Sequence, residues 1–118
     1  MKISGIVKKH LGRGRKLGFP TANLDIEVEL EEGIYVGTVG PMELHALIFI
    51  GAAETFGERE KQVEVHILDF DEDIYGRKIE VQILEKLREN VKFNNEHELI
   101  EQMKKDKEKA KKFFEENI

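Results

Sequence analysis

The chain has 118 residues, 40% of them hydrophobic and 36% charged, with a formal net charge of −5 and no cysteine. That length suits one domain around one core, and the lack of Cys removes disulfides, thiolate metal sites and a Cys nucleophile. The longest apolar run, Ala46 to Ile50, is far short of the roughly 18–20 residues a membrane helix needs, and the start, Met1-Lys2-Ile3-Ser4-Gly5, lacks the apolar core of a signal peptide; a single cytoplasmic domain with no membrane partner is expected.

The charge is unevenly spread. Residues 1–24 carry Lys2, Lys8, Lys9, Arg13, Arg15 and Lys16 with no acid, whereas the remainder holds 13 bases and 24 acids. Such a chain can draw an anion to one end while its acidic bulk keeps it dispersed.

In chain order, an opening strand is expected around Ile3–Lys8. Gly12-Arg13-Gly14-Arg15-Lys16-Leu17-Gly18 follows; its glycines let backbone N–H groups approach a phosphate, and three cations add charge. It lacks the Gly-Lys-Ser/Thr of a Walker A loop and the G-x-G-x-x-G of a dinucleotide site, so these residues alone are a weak phosphate signal and favour an exposed basic turn. Thr21 and Asn23, after Pro20, share a face if the segment is extended. Their oxygens suit Mg²⁺, and the same pair suits a turn cap.

Short strands come next. Ile34, Val36 and Thr38 alternate with Tyr35, Gly37 and Val39; beyond a turn at Gly40-Pro41, Leu44, Ala46, Ile48 and Ile50 alternate with His45, Leu47 and Phe49. Val63, Val65 and Ile67 share one face of a further run, with Glu64, His66 and Leu68 on the other. Glu64 on that second face reads either as a solvated strand residue or as a general base, and His66 as a structural histidine. The acids of Asp69-Phe70-Asp71-Glu72-Asp73 lack the central glycine of a calcium loop, Ile74 standing in its place. Ile79, Val81 and Ile83 repeat the period of two after a turn near Tyr75-Gly76. At least five strands with hairpin-length connections are best closed into a small antiparallel barrel, which leaves no exposed edge. The period then lengthens: Leu99, Met103, Ala110, Phe113 and Phe114 recur at helical spacing. Asn95 and Glu98 form a capping pair at the start, and the apolar stripe is expected to pack on the protein's own sheet.

These residues also resemble a known family. Leu17-Gly18-Phe19-Pro20-Thr21-Ala22-Asn23-Leu24, with Gly5-Ile6-Val7 and Gly12-Arg13-Gly14-Arg15 before it, is similar to the signature of the riboflavin kinases (flavokinases). The likeness runs on through Gly33-Ile34-Tyr35, Gly51, Thr55-Phe56-Gly57, Val63 to Phe70, Asp73 to Gly76, Leu87-Arg88 and Lys92-Phe93. It implies a mainly β fold: a six-stranded antiparallel Greek-key β-barrel at about 1–93 with a C-terminal α-helix at about 95–116, together one domain. It implies transfer of the γ-phosphate of ATP to the 5′-hydroxyl of riboflavin, as in the bacterial and eukaryotic enzymes, giving FMN. Carried over by position, Thr21 and Asn23 would coordinate Mg²⁺, and Gly12, Arg13, Gly14, Arg15 and Lys16 would cover the ATP phosphates. Glu64 would be the general base. Ile67, Asp69 and Tyr75 would lie along the nucleotide, and Arg88 and Phe93 would border the flavin. Riboflavin/FMN and ATP/ADP are then the partners of a monomer, with no nucleic acid, and the FAD-making domain usual in bacteria has no room in 118 residues.

The sequence departs from the family pattern at His10, where a glycine is usual, at Phe49 for Asn, at Glu54 for Pro, and at Asn90 for an acid. His10 and Phe49 are the grounds for a rival reading, a non-catalytic barrel that binds flavin or nucleotide. A small nucleic-acid-binding barrel is a third; the acidic bulk and the lack of interleaved aromatics in residues 1–18 argue against it.

Overall fold

Among the described residues, alternation of apolar and polar residues becomes six antiparallel strands followed by a helix. The structure, a computed structural model, describes residues 2–8, 22–24, 30–55, 58–69, 76–91 and 93–116, and their side chains except at 8, 22–23, 52–55 and 58–62. The elements are β1 (Lys2–Lys8), β2 (Ala22–Leu24), β3 (Gly33–Gly40), β4 (Leu44–Thr55), β5 (Glu58–Ile67), β6 (Lys78–Arg88) and α1 (Glu96–Glu116). They close in the order β1-β2-β5-β4-β3-β6. β3, β4 and β5 are successive neighbours while β6 returns beside β3, which is a Greek key. Five long strands make nearly all of the wall. β2 is a three-residue insert, joined by two residue pairs to β1 and three to β5. The mainly β antiparallel barrel with a terminal helix is as expected from the sequence.

The interior holds the residues that the period of two selected: Ala46, Ile48 and Ile50 of β4, Val63, Val65 and Ile67 of β5, and Ile79, Val81 and Ile83 of β6. On β3 the inward residues include Tyr35 and Val39, and Ile34 and Val36 face outward into a second apolar layer. That layer joins them to Leu47 and Leu68 and is covered by Ala110 and Phe114 of α1. Both faces of central β4 are therefore buried, which is why Ala46–Ile50 is apolar without interruption. The stripe on α1 packs on the protein's own sheet, as its spacing implied.

Gly37 lies where β3 is pressed between β4 and β6. A Cβ there would strike the backbone carbonyl of Gln82 and stand 2.8 Å from Cδ1 of Ile48, beside a register shift between β3 and β6 at Val36/Gly37. Gly37→Ala is expected to destabilise the protein by about 1–3 kcal/mol through overpacking. The effect would be read as a lower urea midpoint at constant slope; an unmoved midpoint would show that the wall gives way at this point.

The turns fall where the sequence placed them. The Gly40–Pro41 peptide is cis, and the hairpin ends on Glu43 with φ 54°. Gly76, with φ 81°, donates its N–H to the Val7 carbonyl at 2.8 Å, and Val7 donates to the Arg77 carbonyl at 2.9 Å. This lashes the start of β6 to β1. At the head of α1 the Glu98 N–H donates to Asn95 Oδ1 at 2.9 Å, so Asn95 is the N-cap. The Glu98 carboxylate reaches one residue further back than a standard capping box, accepting from the Asn94 N–H at 3.0 Å.

Lys86 fastens the segment before β3 to β6. Its Nζ donates to Glu31 at 3.1 Å and to Glu89 at 2.6 Å, and the Tyr35 hydroxyl donates to the Glu31 carbonyl at 2.7 Å. The Glu89 and Glu31 hydrogen bonds hold the Lys86 ammonium above the usual lysine range. Their contribution is therefore full below the unfolded-chain pKa of about 10.4 and is lost as pH rises through the higher folded value.

Candidate active site

Strand register assembles a row of residues that lie far apart in sequence. Lys8 stands across from Asn23, Asn23 across from Glu64, Glu64 across from Phe49, Phe49 across from Ile34, and Ile34 across from Arg88. One residue comes from each strand. Three of them, Asn23, Glu64 and Arg88, are candidates from the sequence, and two more are Lys8 of the basic segment and Phe49 of the departures. β2 exists as a strand because it pairs Ala22–Leu24 with Val63–Val65, and this pairing sets Asn23 beside Glu64. Glu64 is half-buried, on the strand face opposite Val63 and Val65, both of which are buried. His66, two residues on, is buried across from Leu47.

From Glu64 to Arg88 the row crosses three inter-strand gaps, about 14 Å at roughly 4.8 Å each. Phe49 is partly buried against the outer apolar layer, so its ring has apolar neighbours. Asn90 also has a structural use: its side-chain N–H donates to the Ile50 carbonyl at 3.0 Å. A carboxylate could not make that bond. It ties the chain leaving β6 to the middle of β4, just ahead of Phe93, which is half-buried.

Arg88 is held rather than free. Its Nε donates to Asp106 Oδ1 at 2.8 Å and its Nη2 to Asp106 Oδ2 at 2.7 Å, while Nη1 donates to the Glu89 carbonyl at 2.9 Å. Asp106, on the packing face of α1, is fully buried, and Gln102 Nε2 donates to its Oδ1 at 3.0 Å. Sequence reasoning passed over Asp106. The signal was its position, between Met103 and Ala110 on the apolar stripe, where an acid demands a partner.

The remaining candidates are dispersed. The Ile67 side chain is buried in the barrel interior. Asp69 is exposed in the turn after β5, with φ 55°, and its carboxylate is 3.9 Å from Lys111 Nζ. It lies on the rim of a cleft of about 470 Å³ between the β3–β4 turn and the end of α1. In that cleft His45 stacks on Phe114 with centroids 3.8 Å apart and planes 3° from parallel. Gly12, Arg13, Gly14, Arg15, Lys16, Thr21 and Tyr75 lie outside the described residues, as do the departure at His10 and the side chains of Asn23 and Glu54. Among the described residues no helix is long and apolar enough to cross a membrane.

Comparison with known proteins identifies the family. Residues 1–114 match the family model described as "Flavokinase: Riboflavin kinase". A trifunctional protein RibF/MnmA of Mycoplasmoides gallisepticum is 44% identical over 117 residues, covering 95% of this chain and 18% of that protein. An RNA-binding riboflavin kinase, RibR, of Bacillus subtilis is 43% identical over 117 residues, covering 96% of this chain and 51% of its own length. The bifunctional riboflavin kinase/FMN adenylyltransferase of Bacillus subtilis is 34% identical, covering 95% and 38%. The chain thus spans between about a fifth and a half of the length of these relatives. A crystal structure described as a macrolide-efflux protein from Streptococcus pneumoniae superposes with a TM-score of 0.83 at 35% identity, over 93% of this chain and 38% of that one. With the model spanning residues 1–114 of 118 and the barrel register behind it, the chain belongs to the riboflavin kinase family.

Proposed function

We propose that the protein phosphorylates riboflavin at its 5′-hydroxyl, with ATP as donor, to give FMN and ADP. The observation that carries this reading is the register that sets Asn23 directly across from Glu64. It brings a metal-ligand candidate and a base candidate to one place from positions 41 residues apart. Phosphoryl transfer asks for little covalent chemistry from the protein and much positioning. In the step, Glu64 takes the proton of the 5′-hydroxyl as its oxygen bonds to the γ-phosphorus. The bond from that phosphorus to the β,γ-bridging oxygen breaks, and ADP leaves.

The donors at Thr21 and Asn23 are a hydroxyl and an amide, all oxygen on the ligating side, and a hard divalent cation such as Mg²⁺ fits such a set. When bound, that cation supplies charge neutralisation on the phosphates. Arg13, Arg15 and Lys16, with the backbone of Gly12 and Gly14, add positive charge and N–H donors beside it. Ile67, Asp69 and Tyr75 flank the nucleotide in this reading, and Arg88 and Phe93 border the flavin ring. Because the Ile67 side chain is inside the barrel, its contribution would come from the backbone.

The decisive assay incubates the folded protein with riboflavin, ATP and MgCl₂ and separates flavins by chromatography. FMN is expected to accumulate, and its formation to stop on addition of EDTA. Folded protein that binds riboflavin yet forms no FMN would replace this reading with that of a flavin-binding barrel.

A further inference from the structure

A fully buried acid on the packing face of a helix is unusual, and Asp106 is the only buried carboxylate among the described residues. Helix docking does not require it. Met103, Ala110 and Phe114 already supply apolar contact on the same face, and an apolar residue would fit there without desolvating a charge. What Asp106 does is specific. Its two oxygens grip the Nε–Nη2 edge of Arg88 in a bidentate pair at 2.8 and 2.7 Å, the geometry that fixes a guanidinium plane as well as its charge. Gln102 steadies the same carboxylate from one turn earlier, and the Glu89 carbonyl takes one N–H of Nη1. Of the five N–H groups of Arg88, three are thereby committed, leaving one on Nη1 and one on Nη2. The Arg88 side chain keeps 15% exposure while Asp106 has none. The free donors thus belong to a rigid, partly accessible tip at the opposite end of the Glu64 row.

We propose that Asp106 is a positioning residue for substrate recognition, holding the Arg88 guanidinium so that its two uncommitted N–H groups meet the acceptor atoms of a planar, carbonyl-bearing ring. The proposal rests on the riboflavin kinase reading and deepens it, because it makes α1 part of flavin selection rather than only a cover for the barrel. The row gives the reason such fixing matters. The reacting hydroxyl and the recognised ring sit at opposite ends of a five-carbon chain, so a loose anchor at one end misplaces the oxygen at the other.

The test is steady-state kinetics with riboflavin and MgATP varied separately. Asp106→Asn keeps the size of the side chain and removes the bidentate acceptor. It is expected to raise the KM for riboflavin by about tenfold to a hundredfold, the worth of a charge-assisted hydrogen bond, with the KM for MgATP unchanged. Arg88→Lys is expected to give a similar rise, and the double variant no more than either alone. Phe114→Leu, which loosens α1 without touching Arg88, is expected to lower Tm and leave both KM values in place. Should Asp106→Asn fail to fold, Asp106→Glu retains the charge and displaces it by one methylene, with an intermediate rise expected. An Asp106 variant whose Tm falls while its riboflavin KM stays put, or whose two KM values rise together, would overturn the proposal and leave Asp106 a purely structural residue. If the wild-type protein forms no FMN but quenches riboflavin fluorescence, the kinase reading fails and the same variants are compared by Kd, with the same outcomes deciding. A wild-type protein that neither forms FMN nor binds riboflavin would overturn both.

Discussion

Glu64→Gln should lower FMN formation at saturating substrates by about 10²–10⁴-fold, the usual worth of a positioned base, with MgATP binding close to wild type. Gln keeps the length of the side chain and its place between Phe49 and Asn23 in the register. It loses the negative charge and with it the ability to take the hydroxyl proton. The measurement is single-turnover FMN formation beside an equilibrium titration of nucleotide. Turnover within about threefold of wild type would remove Glu64 from proton transfer and leave positioning and charge to account for the rate. A parallel loss of nucleotide binding would instead show that Glu64 holds the phosphate end together.

The largest loss of stability is expected at Arg88. Arg88→Met keeps a long side chain but leaves the Asp106 carboxylate, which is 0% exposed, without the cation that compensates it. Removing one partner of a buried pair costs about 3–5 kcal/mol, a large share of the roughly 5–15 kcal/mol that holds a domain folded. For a chain of this size the melting temperature should fall by roughly 10–20 °C. The double variant Arg88→Met/Asp106→Leu is expected to recover most of this loss, since neither charge is then buried. Urea unfolding of both variants checks the pair; a single variant within about 1 kcal/mol of wild type would mean that water reaches Asp106 and that the pair carries little.

Much of the barrel could be read from residue order because a strand buried on one face must repeat every second residue. Val63, Val65 and Ile67 declare their face in this way, as do Ile79, Val81 and Ile83. The helix declared itself through Asn95 and the spacing of Met103, Ala110 and Phe114. The inward face of β3 was not legible. Both of its sets are apolar, because α1 covers the outside and the barrel interior takes the other side. Nor was the Asn23–Glu64 juxtaposition, which depends on β2 finding β5 across the whole β3–β4 hairpin; only the family resemblance carried both residues to one site. Asp106 was hidden for a different reason. A carboxylate among apolar helix positions looks like an interruption of the stripe until its cation, 18 residues earlier, is seen beside it.

The shortest strand gives the protein a seam. Among the described residues β2 meets β1 over two residue pairs and β5 over three, whereas β4 and β5 share ten. Local opening favours the segment with the fewest contacts to lose, so among the described strands β2 is the one expected to part most readily. In the reading above, that same strand carries Asn23 to the phosphate end of the site. A ligand that grips only the closed form would add its binding free energy to the closing of the seam. Occupancy and barrel closure would then be two faces of one equilibrium, and amide exchange along β2 would slow as the site fills.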